Sequence, residues 1–254
     1  MFAGATYEEA RATRTHYVLP NGTGFWKSEY IISDHHAAPA PHALLVEQDP
    51  EQVILPHFHE QNQFQVIVNG GGTLGRNEVA PITVHYAGAY TGYGPITSNK
   101  DGLWYFTLRP MMDNGAQFLH ESRDKMKPWP KKHWHSAPLG SASASDLAGL
   151  AAPQVTTVQE DADGMLIQTI RIPGGGTHAA PVPSVGGGQF FLVTAGQLVI
   201  AGKAYERWSC VWVAHTDAAL KLGAAPGGAE VLLAQCPRAD YRTTFRPELY
   251  KYTD

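Results

Sequence analysis

Residues 56–70 read Pro56-His57-Phe58-His59-Glu60-Gln61-Asn62-Gln63-Phe64-Gln65-Val66-Ile67-Val68-Asn69-Gly70, a His-x-His pair followed by an alternating apolar run that ends in glycine. Side chains two positions apart on a β-strand project from the same face, so His57 and His59 would aim their imidazoles at one point. Neutral imidazole is the commonest metal ligand among side chains. The stretch therefore predicts a metal site built on a strand. The alternative is two strand-end histidines that only form hydrogen bonds.

This stretch resembles the first sequence motif of the cupin superfamily, in which His-x-His and a downstream glutamate ligate a metal inside a small β-barrel. The resemblance implies that His57 and His59 are metal ligands, and it places Gln63 where the glutamate usually stands. A glutamine oxygen can coordinate metal, but it is neutral. The site would lose one negative charge that offsets a divalent cation, so we expect weaker affinity and a more Lewis-acidic metal.

The second cupin motif usually supplies one more histidine ligand, and the corresponding residues 88–99 contain none. His85, on a neighbouring predicted strand, is the candidate replacement, with an ordinary strand histidine as the alternative. The predicted metal ligands are therefore His57, His59, Gln63 and His85. The resemblance implies Fe, Mn, Ni or Zn as the metal.

An internal repeat is the second strong pattern in the chain. Residues 63–70 and residues 189–196 share glutamine, phenylalanine, an alternating apolar run and a glycine, at a distance of 189 − 63 = 126 positions. Residues 102–110 and 228–237 repeat a glycine, a strand and a closing proline at nearly the same interval. Such self-similarity predicts a duplicated structural unit.

The predicted fold is all-β, with two tandem jelly-roll barrels of the cupin type. Abundant glycine (26) and proline (18) suit many short strands joined by tight turns. We predict an N-terminal barrel with an arm over residues 1–125, a linker over 126–155, and a degenerate C-terminal barrel over 156–254. Counting back from Gln189 by the intervals of the first half reaches Pro183 and Val185, so the second half lacks the His-x-His pair.

Residues in phase with the repeated glutamines are predicted to point inward. They are Gln63, Gln65 and Ile67 in the first half and Gln189, Phe191 and Val193 in the second. The first interior is the more polar one, which favours it as the ligand pocket. The candidate substrate-binding residues there are Gln65, Tyr93, Tyr105 and Arg109, with Arg109 as a candidate anchor for a carboxylate. The alternatives are tyrosines that belong to the core or the rim and an arginine exposed at a strand end.

Other histidine pairs predict no site. His133 and His135 follow prolines and lysines and are predicted to be solvated loop residues, and the adjacent His35 and His36 would face opposite ways on a strand.

Composition excludes several functions. Nineteen basic and 23 acidic residues give a formal net charge of −4, and no basic stripe indicates nucleic acid or a membrane surface. No secretory signal or transmembrane run is evident. Two cysteines, Cys210 and Cys236, are too few for a disulfide framework, so we expect a cytoplasmic protein. By analogy with cupins we expect a homodimer.

Two functions are consistent with these residues. The first is a metal-binding bicupin that acts on a small oxygenated organic molecule as a dioxygenase, isomerase or lyase, with its catalytic residues unidentified. The second is a barrel that binds a sugar or an aromatic acid without a functional metal. The intact His-x-His pair favours the first function, whereas Gln63 and the missing second-motif histidine favour the second.

Overall fold

The structure is a computed structural model that describes residues 2–33, 40–128 and 131–238. About 52% of the chain is strand and 9% is helix, which confirms the prediction of a mostly β protein. No helix within the described ranges is both long enough and apolar enough to span a membrane. His35 and His36 lie outside the described residues.

In chain order the strands are β1 (Phe2–Ala5), β2 (Thr15–Val18), β3 (Gly24–Ile32), β4 (His42–Gln48), β5 (Val53–Ile54), β6 (His57–Phe58), β7 (Gln63–Leu74), β8 (Asn77–Val79), β9 (Thr83–Ala87), β10 (Ile96–Arg109), β11 (Gln117–Phe118), β12 (His133–His135), β13 (Gln154–Glu160), β14 (Leu166–Ile172), β15 (Thr177–Ala179), β16 (Gln189–Ile200), β17 (Lys203–Glu206), β18 (Cys210–Val213) and β19 (Lys221–Gln235). The helices are α1 (Tyr7–Arg11), α2 (Leu119–Ser122) and α3 (Ala144–Ala148), with single 3-10 turns at Arg123–Lys125 and Pro183–Val185.

The chain forms two compact units. The first, called here the N-terminal unit, comprises Thr13–Gly140, and the second, the C-terminal unit, comprises Ser141–Ala239 together with Met1–Ala12. The predicted N-terminal arm therefore divides at residue 12, because β1 pairs with β18 in the C-terminal unit. The assignment of the two units as barrel domains stays a prediction.

The N-terminal unit contains a nine-stranded antiparallel sheet in the order β12-β9-β7-β10-β4-β3-β2, with β5 paired to β10 and β8 to β7. Strands β6 and β11 form a separate two-stranded sheet. The eight-stranded sheet of the C-terminal unit has the order β1-β18-β16-β19-β14-β13, with β15 paired to β19 and β17 to β16. Within the described residues neither sheet closes on itself.

Glycines fix the same crossing of two long strands in each unit. Gly70 on β7 has φ +70°, and a Cβ there would overlap the carbonyl oxygen of Gly102 on β10. Gly196 on β16 has φ +66°, and its Cβ would overlap the carbonyl oxygen of Gly228 on β19. Only glycine combines a positive φ with so close a backbone approach. Both pairs are related by the interval of 126 residues, so the structure repeats where the sequence repeats.

The prediction for His133 and His135 was wrong in its local structure. These residues form β12, which pairs with β9 and places His135 directly opposite His85. The lysines and prolines before them suggest a loop, but hydrogen bonds to β9, a strand about 50 residues earlier in the chain, supply the order that the local sequence lacks.

The interiors of the two units differ. The C-terminal unit packs Phe191 and Val193 into a large apolar core. In the N-terminal unit Ile67 packs in an apolar core, whereas Gln63 and Gln65 are buried polar side chains. Cys210 and Cys236 are both buried and free, and burial raises the pKa of each thiol.

Candidate functional site

The interior of the N-terminal unit contains a cavity of about 80 Å³. Six of the eight predicted site residues line it: His57, His59, Gln65, Tyr93, Tyr105 and Arg109. The other two, Gln63 and His85, lie behind this lining and hydrogen-bond to members of it. The fold thus gathers residues that are up to 52 positions apart in the sequence.

His57 is held as a neutral imidazole with a fixed tautomer. Its Nδ1 lies 2.8 Å from the carbonyl oxygen of Leu55, which can only accept, so Nδ1 carries the proton. Its Nε2 lies 2.8 Å from the hydroxyl oxygen of Tyr93, and that hydroxyl donates to it. Burial, and then the neighbouring His59, lower the pKa of His57 to about 3.

The orientation of the Gln63 amide follows from Arg109. Arg109 Nε lies 3.0 Å from Gln63 Oε1, and because a guanidinium only donates, the amide oxygen must face it. The amide nitrogen then donates to the Tyr93 hydroxyl oxygen at 2.5 Å. A directed chain of hydrogen bonds therefore runs from Arg109 through Gln63, Tyr93 and His57 to Leu55. The amide oxygen of Gln63 points to Arg109 and away from the histidines.

His59 is oriented by Asp113, a residue that the sequence analysis did not identify. Its Nδ1 lies 2.6 Å from Asp113 Oδ1, so Nδ1 donates to the carboxylate and Nε2 keeps its lone pair. Arg109 Nη2 lies 3.3 Å from both ring nitrogens of His59. Equal distances to both nitrogens place the guanidinium over the ring and not in line with the Nε2 lone pair. Burial lowers the pKa of His59, although Asp113 opposes this change.

Asp113 is fully buried and carries a negative charge beside Arg109. Its oxygens also accept hydrogen bonds from the backbone nitrogens of Glu60 (2.9 Å) and Gly115 (2.8 Å). Burial alone would raise the pKa of Asp113, but His59 and Arg109 lower it to about 2. The only sequence signal for this residue was an Asp-Asn-Gly run after β10, which is typical of a turn.

Glu60 faces away from the cavity and accepts a hydrogen bond from Asn114 Nδ2 at 2.6 Å. It therefore supports the loop after β10, and is not positioned as a base in the cavity.

A second cation, Lys27, also lines the cavity from β3 and was missed by the sequence analysis. Lys27 Nζ lies 2.7 Å from Glu29 Oε1, and Glu29 Oε2 lies 2.9 Å from His42 Nε2. Burial opposes ionisation of Glu29, but His42 and Lys27 lower its pKa to about 2. Glu29 therefore neutralises Lys27, whereas Arg109 has guanidinium N–H groups to offer to a ligand.

The cavity lining also includes the apolar side chains of Phe25, Leu44, Val46 and Ile54. A larger cavity of about 500 Å³ adjoins it and shares Leu19, Ala116 and Phe118 with it. A small inner chamber thus opens past three apolar side chains into a wider outer one, which His120 and Glu121 also line.

The donor set fits a metal in part. Among the described residues, no three His, Cys, Asp or Glu side chains gather at one point. The ring centroids of His57 and His59 are 5.3 Å apart, near the separation of about 5 Å expected for two imidazoles on one ion at bond lengths of about 2.0–2.1 Å. Both Nδ1 atoms donate to oxygens, the outer-shell pattern typical of metal-ligating histidines. Tyr93 Oη is the third donor within reach, whereas the Gln63 oxygen is held by Arg109.

No protein-family model and no curated protein matches the sequence. Solved structures do match the fold. A "putative dioxygenase" from Nostoc punctiforme has a TM-score of 0.62 at 9% identity, with 97% of this chain and 87% of that chain covered. Oxalate decarboxylase from Lactobacillus farciminis, in a formate complex, has a TM-score of 0.58 at 10% identity, covering 92% of this chain and 86% of that one.

A bacterial pirin from Escherichia coli, in complex with nickel(II), has a TM-score of 0.55 at 12% identity, covering 94% of this chain and 100% of that one. These neighbours are cupin-fold proteins, which confirms the resemblance seen in residues 56–70 at the level of the fold.

Proposed function

We propose that this chain, which has the cupin fold, is a tandem of two jelly-roll barrels and that the N-terminal barrel binds a small organic acid in its interior. The repeated glycine crossing of β7 with β10 and of β16 with β19 supports the tandem arrangement. The polar cavity described above lies in the N-terminal unit, whereas Phe191 and Val193 of the C-terminal unit belong to an apolar core. The C-terminal unit would serve as a structural partner.

The observation that carries this proposal is the guanidinium of Arg109 at the cavity wall. Arg109 is only 6% exposed and lines the cavity. Its Nε donates to Gln63 and its Nη2 lies over the His59 ring, whereas Nη1 has no hydrogen-bond partner among the described residues and is left to a ligand. A buried arginine whose N–H groups face a cavity favours a carboxylate, because charge-assisted bonds to carboxylate are strong and directional. His57 and His59 are neutral, so they do not compete with Arg109 for the anion.

The cavity size limits the ligand. At about 10–15 Å³ for each water-sized site, 80 Å³ holds about five to eight non-hydrogen atoms. A short mono- or dicarboxylic acid fits the inner cavity, and a longer acid would extend past Phe118 into the outer one. The oxalate decarboxylase neighbour, solved with formate, is a protein of the same fold that acts on such an acid.

Calorimetric titration with formate, oxalate, malonate and succinate tests the proposal. We expect at least one of these acids to bind the wild-type protein and Arg109→Gln to weaken that binding by about tenfold to a hundredfold, the value of one hydrogen bond to a charged group. The matched control is Arg76→Gln, an exposed arginine of the same unit outside the cavity. Equal binding by Arg109→Gln and wild type, or no binding of any acid, would contradict the proposal.

A second candidate function, a metal-dependent enzyme of the dioxygenase, isomerase or lyase type, is favoured by the fixed tautomers of His57 and His59. The Nε2 atoms of His57 and His59 would hold the ion. The Tyr93 hydroxyl, which donates to His57 Nε2 in this structure, would have to release that hydrogen bond before Oη could join them, while Asp113 keeps the proton on His59 Nδ1 and Leu55 keeps that on His57 Nδ1. Fe, Mn, Ni and Zn all accept imidazole ligands. Two neighbours of the fold carry metal, nickel(II) in the pirin and Mn(II) in oxalate decarboxylase.

In that case the ion supplies Lewis acidity at a carboxylate oxygen. The residues of this chain supply the rest. Arg109 would orient the acid, and the apolar lining would exclude water. Asp113 would keep the proton on His59 Nδ1, so that Nε2 keeps its lone pair. Glu60 takes no part, because its carboxylate bonds Asn114 outside the cavity.

Elemental analysis of protein purified without chelators separates the two candidates. A stoichiometric transition metal that is lost in His57→Ala but kept in His16→Ala, an exposed histidine outside both cavities, supports the enzyme. Acid binding that persists in fully metal-free protein supports plain ligand binding. The homodimer and the cytoplasmic location stay predictions, and sedimentation of the full chain tests the first.

A further inference from the structure

A second group of histidines lies on the ribbon formed by β9 and β12. His85 and His135 are directly opposite in the antiparallel register, and His133 is two residues from His135. Opposed and alternate residues share a face of a sheet, so the three imidazoles lie on one face. Lys132 points to the other face, where its Nζ lies 5.6 Å from the Tyr86 ring centroid. The histidine face is therefore free of the Lys132 charge.

His85 directs a lone pair toward β12. Its strand lies between β7 and β12, and its Nδ1 lies 2.9 Å from Gln65 Oε1 on β7. Because that oxygen only accepts, Nδ1 carries the proton and Nε2 is unprotonated. The two nitrogens of an imidazole point in widely different directions, so Nε2 faces the β12 side. This atom is fully buried and has no hydrogen-bond partner among the residues that the structure describes, an arrangement that requires an explanation.

His135 repeats this feature. Its Nδ1 is buried and, within the described ranges, also has no hydrogen-bond partner. His133 is an exposed side chain beside it. The ring centroid of His85 lies 4.8 Å from that of His133 and 6.2 Å from that of His135. Imidazoles that share one tetrahedral ion, with bonds of about 2.0–2.1 Å, have centroids about 5 Å apart, and the two distances bracket that value.

We infer that His85, His133 and His135 form a metal site separate from the cavity, selective for imidazole-binding dications such as Zn(II) and Cu(II). The rings in their present rotamers do not converge on one point. Convergence needs rotation of His133 and His135, which lie on the edge strand β12 and are partly exposed, while His85 stays fixed by Gln65. Solvent or a small ligand would complete the coordination from the exposed side.

The site is tested by titrating chelator-stripped, full-length protein with Cu(II) and recording its electron paramagnetic resonance spectrum. We expect a bound ion whose signal shows coupling to three nitrogens, in addition to any ion held by His57 and His59. The double variant His133→Ala/His135→Ala should lose that signal and bind Cu(II) and Zn(II) at least about tenfold more weakly, since even outer-shell partners change metal affinity by about ten- to a hundredfold. His16→Ala, an exposed histidine of this unit that lines neither cavity, should match wild type.

The variant His57→Ala separates this site from the cavity. The three-nitrogen signal should persist in His57→Ala whether or not the cavity binds metal, so failure of the proposed function and failure of this inference give different results. A signal with only two coupled nitrogens, a signal lost in His57→Ala but kept in the double variant, or no tight binding to wild type would each overturn the inference. Circular dichroism of the double variant confirms that its sheet is intact.

Discussion

The two units carry matching side-chain pairs at the ends of their central strands, with different chemistry in each. In the N-terminal unit Arg109 on β10 donates to Gln63 on β7 at 3.0 Å, and in the C-terminal unit Gln189 on β16 donates to Gln235 on β19 at 2.8 Å. Each pair spans 46 residues, and the two pairs are 126 residues apart. One scaffold position thus holds a cation beside a cavity in one unit and a neutral amide in the other.

The residues around these two pairs are also more polar in the N-terminal unit than in the C-terminal unit. Positions 126 residues after His57 and His59 are Pro183 and Val185, which bound a 3-10 turn. In the C-terminal unit Phe191 and Val193 belong to a continuous apolar core. The shared glycine crossing and strand order maintain the scaffold, whereas a few substitutions decide whether its interior is a polar cavity or a packed core. The site therefore depends on a small set of side chains that can differ between the two units while the strand order stays the same.

The largest effect is expected from placing the cation of one unit into the other. Gln235→Arg would bury a guanidinium where Gln235 now hydrogen-bonds to Gln189 and to the carbonyl oxygen of Gly164. Neither partner is a carboxylate like Asp113. An uncompensated buried charge costs about 3–5 kcal/mol, so the free energy of unfolding should fall by that amount. Chemical denaturation followed by hydrogen exchange of peptides from each unit measures the change and its location.

The reciprocal variant is the control for that experiment. Arg109→Gln restores a Gln–Gln pair like the one in the C-terminal unit but removes the cation beside Asp113. Because Asp113 still accepts hydrogen bonds from His59 and from the backbone nitrogens of Glu60 and Gly115, we expect a loss of about 1.5–3 kcal/mol, the value of one hydrogen bond to a charged group, which is less than for Gln235→Arg. If the two variants destabilise the protein equally, the two positions are not equivalent in the way that the structure indicates.

The next largest effect is expected at the glycine crossing that both units share. Gly70→Ala and Gly196→Ala each force a side chain into a positive φ and against a glycine carbonyl. The left-handed conformation costs about 1–2 kcal/mol for a non-glycine residue, and the overlap adds to it, so each variant should lose about 2 kcal/mol or more. Denaturant midpoints of the two variants should fall by similar amounts.

Gly22→Ala provides the control for a positive φ without a close contact, since nothing lies within 4 Å of its added Cβ. It should cost less than either crossing variant. A large loss for Gly70→Ala with none for Gly196→Ala would contradict a common scaffold.

The sequence predicted the shared features better than the site. The His-x-His pair and the inward phase of Gln65 and Phe191 are patterns of a few neighbouring residues. The interval of 126 residues follows from a comparison of two short segments. The fold preserves all three features. Asp113 and the strand at His133–His135 were missed because each acquires its role from a residue distant in the chain, and Lys27 was missed because only the fold brings it to the cavity. The orientation of Gln63 depends on Arg109, 46 positions later, and no local pattern encodes such a contact.

A smaller effect is expected from Tyr93→Phe, which removes the hydroxyl that joins Gln63 to His57. The counterpart by count is Ala219, so the C-terminal unit has no such link. The change leaves a buried amide N–H without an acceptor and should cost about 1–3 kcal/mol. A double-mutant cycle with Gln63→Leu should show coupling, measured by denaturation. Additive losses would contradict the hydrogen-bond chain.

The smallest effect probes the packing of equivalent strand positions. Ile67 faces Tyr105 across β7 and β10, and Val193 faces Val231 across β16 and β19, again 126 residues later. Ile67→Val removes one methylene from the N-terminal core and should cost about 0.5–1.5 kcal/mol. Val193→Ile adds one methylene to a filled core and should cost about 1–3 kcal/mol. A cavity beside Tyr105 makes the first change the milder of the two. A reversed order in thermal denaturation would mean that the C-terminal interior has unfilled space, and the contrast between a hollow unit and a packed one would fail.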